Sequence, residues 1–250
     1  MKKRIGALVL VVLAVAACKL PGRKKDDGSS GSGTTTGTVT DSDPQAAVCE
    51  SSSSETAQVA CNDLGDKYAE GKGGNAPDPA KGAMYYQKGC DKGMRLACRN
   101  LGLLYADGRG VPMNRAKAIE LLDRSCAAGL GLGCEELGEV YDKGKAGGSI
   151  DPAKAVNAYQ RGCNIGSGRS CRELGRHYKD GSGVPKDVNR GLGLYEKGCV
   201  TDRLTCDDLG DIHAKGMGVP VDKNKAAIWY GKGCTAGLEM SCQHLKAIKP

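Results

Sequence analysis

Cys98-Arg99-Asn100-Leu101-Gly102-Leu103-Leu104-Tyr105, followed at once by Ala106-Asp107-Gly108-Arg109-Gly110-Val111-Pro112, decides the fold of this chain. Cys98, Leu101 and Tyr105 stand at i, i+3 and i+7, which is one face of a helix. A glycine inside a helix costs about 1 kcal/mol, so Gly102 needs a packing reason, and close approach of a neighbouring helix is the simplest. Gly108 can close the helix in a left-handed conformation, and Pro112 prevents its continuation. The same string returns as Cys61, Leu64, Gly65, Tyr68; as Cys134, Leu137, Gly138, Tyr141; and as Cys171, Leu174, Gly175, Tyr178. A further copy has Cys206, Leu209, Gly210 and, in the Tyr place, His213. Gly-x-Gly-Val-Pro recurs at Gly181–Pro185 and Gly216–Pro220, and the turn varies around Gly71–Pro79 and Gly144–Pro152. A Gly-x-Gly also begins a dinucleotide fingerprint, but here no strand precedes it and no third glycine completes it.

Outward from this helix a second one is written. Eight residues before its cysteine stands a small residue (Gly82, Ala118, Ala155, Gly191, Ala226), and four before it a large one (Tyr86, Leu122, Tyr159, Tyr195, Tyr230). These share a face with the cysteine. Two before the cysteine comes a base: Lys88, Arg124, Arg161, Lys197 and Lys232. That column is a candidate binding surface, and equally the solvated flank of each helix, its cations favoured near the helix C-terminus.

Twelve of the thirteen cysteines thus form close pairs: Cys49/Cys61, Cys90/Cys98, Cys126/Cys134, Cys163/Cys171, Cys199/Cys206 and Cys234/Cys242. From Cys90 on, the first member recurs every 35 to 37 residues, the signature of a solenoid whose units pack on their neighbours. The even count indicates disulfides, and disulfides an oxidising compartment. In one helix, residues eight apart would stand about 12 Å apart, beyond the ~7 Å reach of a disulfide. If the partners bond, the chain must therefore reverse between them, where Gly93, Gly129, Gly166 and Gly237 suit a turn. Zinc sites want tighter spacing, often with His, so no metal and no cofactor is expected.

The odd cysteine, Cys18, follows Met1-Lys2-Lys3-Arg4, an apolar run from Ile5 to Ala17, and Val15-Ala16-Ala17. The run is too short to span a bilayer and fits a signal peptide over 1–17. The small residues before Cys18 resemble a bacterial lipobox, which implies cleavage before Cys18 and a lipid on its thiol; the alternative is a plain signal peptide and a periplasmic or secreted chain. Lys19, by resemblance to enteric lipoproteins, favours the outer membrane. Residues 18–43 read as a lipidated terminus and Gly/Ser/Thr-rich disordered tether, and 44–250 as the repeat domain. Loss of Lys2, Lys3 and Arg4 leaves 33 Lys and Arg against 29 Asp and Glu, a net charge near +4 that makes no case for nucleic acid. With no Phe, one Trp and nine Tyr, the core must be thin and continuous rather than large.

Leu-Gly-x-x-Tyr, the Gly-x-Gly-Val-Pro turn, the small-residue column and the Tyr before Cys resemble the Sel-one-like repeat, a relative of the tetratricopeptide repeat. The added cysteine pairs look like the Helicobacter-type cysteine-rich subfamily. The resemblance implies an all-α fold, a right-handed α/α superhelical solenoid of antiparallel helix pairs with one disulfide per repeat. The first cysteine pair and the stretch after Cys242 read as degenerate caps. The implied function is a scaffold for an envelope or extracellular protein or peptide. The rival is a β-lactamase or penicillin-binding activity, a label some cysteine-rich members carry. Against it, the chain has no Ser-x-x-Lys, and His177, His213 and His244 fall in separate repeats. No catalytic residue is assigned.

Overall fold

The computed structural model describes residues 43–51, 53–74 and 76–248. Cys18 and the boundary drawn at 17 lie outside the described residues, and the boundary drawn at 43 falls on the first of them. Asp41–Pro250 is one compact unit. Its described residues fold into twelve α-helices and no strand: α1 Pro44–Ser51, α2 Glu55–Glu70, α3 Pro79–Asp91, α4 Arg95–Asp107, α5 Arg115–Ala127, α6 Gly131–Asp142, α7 Pro152–Asn164, α8 Gly168–Asp180, α9 Val188–Cys199, α10 Arg203–Lys215, α11 Lys223–Thr235 and α12 Glu239–Ile248. Each packs chiefly on the helices before and after it. This is a solenoid, as the repeat period predicts, and it is all-α with paired helices, as the family resemblance implies.

Local chemistry explains where the helices stop. Gly71, Gly108, Gly181 and Gly216 close α2, α4, α8 and α10 with φ between 67° and 78°, a conformation that costs glycine nothing. The variant turn after α6 places a non-glycine residue, Ala146, at φ 59°. Asp78, Asn114, Asp151, Asp187 and Asp222 then start α3, α5, α7, α9 and α11, each side chain accepting from the backbone N–H three residues on.

Glycine also sets how close the layers come. A Cβ built on Gly138 would stand 2.3 Å from the Tyr159 ring, and one on Gly65 2.3 Å from that of Tyr86. The small residue of the Leu-Gly pair is thus the socket for the large residue of the following helix. Leu64, Leu101, Leu137, Leu174 and Leu209 are buried beside these sockets. The six cysteine pairs face one another across the odd-to-even turns, with Cα atoms 4.5 to 4.8 Å apart, within disulfide reach. The chain does reverse between the partners, at Gly93, Gly129, Gly166 and Gly237, each with positive φ.

Candidate interaction face

Successive even-numbered helices touch one another laterally more than the odd-numbered helices do. The even helices therefore form the inner layer of the array and the odd helices the outer one. Packing fixes the Cys, Leu, Gly and Tyr positions of α2, α4, α6 and α8, and the same places, with His213 for Tyr, on α10. The positions one, two and five after the cysteine are free to vary, and they carry the charge.

The position directly after the cysteine changes sign from helix to helix: Arg99 on α4, Glu135 on α6, Arg172 on α8 and Asp207 on α10. α6 adds Glu136 and Glu139; α8 adds Arg176 with Glu173 beside it and Arg169 at its start; α10 adds Asp208 and Asp211. Neighbours interlock. Arg99 pairs with Glu136 at 2.8 Å, Arg169 reaches Glu135 and Glu139 at 2.6 Å each, and Arg176 reaches Asp142 at 2.6 Å. Arg172 lies 3.7 Å from Asp208. At the C-terminal end the alternation stops, because α12 has Gln243 where an Arg would continue the series, and His244 beside it lies 3.1 Å from Asp207. Leu103 of α4 is an apolar member of the same face.

Burial shapes the titration of this ladder. Taking the Glu135 side chain out of water pushes its carboxyl up to about 7, against the pull of Arg169. Burial acts on Glu139 too, but hydrogen bonds from Lys145 and Lys143 outweigh it and hold that carboxyl below its usual range. Asp208 is raised, by burial first and then by its acidic neighbours, despite Arg172. Glu135 and Arg169 also line a cleft of about 520 Å³ with Leu130, Leu132 and Ile165.

The basic column lies elsewhere, on the outer helices. Lys88 is paired with Glu50. Arg124 donates to the Cys90 carbonyl at 2.7 Å and lies 3.8 Å from Asp91, and Arg161 donates to Asp123 at 2.5 Å. Lys232 sits 3.8 Å over the Trp229 ring. Three of the five thus tie one outer helix to the preceding one. Lys197 is exposed and has no ion pair among the described residues.

Two features were missed from sequence. One is the alternation of charge. The other is a second series of bases, Lys81, Lys117, Lys154 and Arg190, whose charged groups lie 3.9 to 5.6 Å from the rings of Tyr68, Tyr105, Tyr141 and Tyr178. Each is the third residue of an odd helix, so Asp or Asn three places earlier followed by a base was the available signal.

The three histidines stay apart in role. His177 is buried on α8, donating from Nδ1 to the Ser182 carbonyl at 2.8 Å, with Nε2 3.3 Å from Asp142 but off hydrogen-bonding line. His213 is buried in the Tyr place of α10, its pKa lowered by burial and then by Lys225. No group of three or more potential metal ligands occurs among the described residues.

These features define a disulfide-stapled α/α repeat solenoid with a polar inner layer. A family model described as Sel1 repeat matches residues 58–94, 95–130, 132–167, 168–199 and 206–238. The chain belongs to the Sel1 repeat family. Among solved structures it is similar to a protective antigen of uropathogenic Escherichia coli with an SLR fold, at 26% identity and TM-score 0.64 over 77% of this chain. The chain spans 41% of that antigen's length. It is also similar to a Sel1 repeat protein from Oxalobacter formigenes, at 28% identity and TM-score 0.60, covering 72% of this chain and 74% of that one. Helicobacter pylori cysteine rich protein B matches at 28% identity over 54% of this chain and 98% of its own, with TM-score 0.42. No curated protein matches the sequence.

Proposed function

We propose that this chain is an exported, lipid-anchored scaffold that binds a protein or peptide of the cell envelope along its inner face. One observation carries the reading. Packing positions repeat from unit to unit while the inner-face positions differ in charge and size, which is how a solenoid acquires specificity without changing its frame. Six bonded cysteine pairs support an oxidising, exported setting. The basic column lies on the outer layer and is read as the flank that ties outer helices together, outside the proposed binding surface. Cys18 is the proposed lipid attachment site and the outer membrane the proposed destination.

Two experiments test this. Cells fed labelled palmitate should mark the chain, and the Cys18→Ser variant should lose the mark; an unlabelled parent chain refutes the anchor. The oxidised repeat unit, immobilised and exposed to envelope extract, should retain a discrete protein that Leu103→Glu no longer retains and Glu196→Lys still does. Equal retention by both variants refutes the inner face as the binding surface.

A further inference from the structure

The two edges of the array differ in kind. The five even-to-odd turns, residues 70–82, 106–118, 143–155, 179–191 and 214–226, hold fourteen Lys and Arg against seven Asp and Glu, and the first of them is neutral. The odd-to-even turns between paired cysteines, 91–97, 127–133, 164–170 and 200–205, hold four against two. The basic turns stack along one edge: a Cβ on Gly110 would strike Pro79 and Ala80 of the preceding turn, and one on Gly183 would strike Pro152 and Ala153. Arg115 donates across to the Ser149 carbonyl of the following turn at 3.0 Å. Much of the charge on this edge is unneutralised. Arg109, Arg115, Lys117, Lys186, Arg190 and Lys223 have no carboxylate partner among the described residues.

Large apolar side chains stand among these bases. Met113, Ile150 and Val221 each occupy the position before an N-cap and are 57%, 62% and 60% exposed. An apolar residue there ordinarily packs on the fourth residue of the helix. In this chain that residue is Ala118, Ala155 or Ala226, small and already buried. Each tip leans one side on a glycine of its own turn and leaves the rest in water. Apolar tips on three of the four basic turns, with Lys186 in that place on the other, ringed by bases on a stacked edge, are the composition of a surface that inserts shallowly at a lipid headgroup boundary.

We propose that the even-to-odd turn edge docks on an anionic lipid surface, with Met113, Ile150 and Val221 entering the headgroup region and the surrounding Lys and Arg meeting its phosphates. Protruding tips separated by charge suit a fluid surface, which moulds around them, better than a folded acidic protein. The edge belongs to the repeat unit, so this docking does not depend on Cys18.

Sedimentation of the oxidised Asp41–Pro250 unit with vesicles tests it. The unit should travel with phosphatidylethanolamine vesicles containing phosphatidylglycerol and stay behind with phosphatidylcholine alone. Each base brought to an anionic surface raises partitioning about fivefold, so Lys117→Gln/Lys186→Gln/Lys223→Gln should weaken binding on the order of 100-fold. Met113→Ser/Ile150→Ser/Val221→Ser should weaken it as well, with helical circular dichroism unchanged in both variants. Absence of the parent unit from anionic vesicles overturns the proposal. So does binding that the apolar triple leaves intact while a soluble polyanion competes it away, since that marks a polyelectrolyte site instead of a lipid one.

Discussion

Replacing Gly138 by alanine should destabilise the protein, although alanine is the better helix former. The substitution gains about 1 kcal/mol of helix propensity. Against this, the new Cβ would lie 2.3, 2.6 and 2.7 Å from three carbons of the Tyr159 ring. Tyr159 is 1% exposed and packed among Cys163, Cys171, Leu174 and Tyr178, so the ring cannot swing away without moving the next helix. Overpacking of this kind costs about 1 to 3 kcal/mol, and a rigid aromatic neighbour places it at the upper end. The net expectation is a loss of about 1 to 2 kcal/mol, or roughly 2 to 8 °C in melting temperature for a unit of this size. Gly193 of α9 and Gly231 of α11 supply the opposite case, for a Cβ on either meets nothing within 4 Å. Gly193→Ala and Gly231→Ala should each stabilise by about 0.5 to 1 kcal/mol. Thermal melting by circular dichroism of the oxidised protein reads all three. A Gly138→Ala protein as stable as its parent, or a destabilised Gly193→Ala, would refute the socket account of the repeat glycines.

Burying Glu135 makes the folded chain hold a proton up to about pH 7, where the unfolded chain releases it near 4.5. In that window the unfolded state binds fewer protons, so stability should fall as pH rises. Glu135→Gln should flatten that slope and melt higher than the parent at about pH 8, and parallel pH curves would sink the assignment. Removing the fourth-repeat disulfide with Cys163→Ala/Cys171→Ala opens a loop of eight residues. The expected cost is about 2.5 kcal/mol, read as an earlier melt that reductant no longer shifts further at that repeat. Asp187→Ala deletes the cap that accepts from the Arg190 N–H at 2.9 Å. It should cost about 1 kcal/mol, visible as faster amide exchange in the first turn of α9.

The frame of this protein is legible in its sequence because packing imposes the same residues at each period. Leu101, Gly102 and Tyr105 have their counterparts every repeat, and the paired cysteines mark each reversal of the chain. The charges follow a longer logic. Arg99 and Glu136 are 37 residues apart and pair only because successive even helices lie side by side. Comparing repeats column by column treats that difference as noise, since an alternating sign cancels in any average. The basic column shows the converse. Lys88, Arg124 and Arg161 align perfectly in sequence, yet their partners Glu50, Asp91 and Asp123 belong to the preceding repeat and are visible only once the outer helices are stacked. The apolar tips do not form an unbroken column in the sequence, because Lys186 takes their place in one repeat.

Site-specific photo-crosslinking tests the central claim most directly. A photoreactive side chain at Leu103 or Asp208 samples the inner face, and one at Glu120 or Glu196 samples exposed positions of the outer helices. Irradiated in cells that make the protein, the inner positions should yield a discrete adduct of one partner and the outer positions none. Adducts of equal yield from both layers, or from the outer layer alone, would contradict an inner-face scaffold.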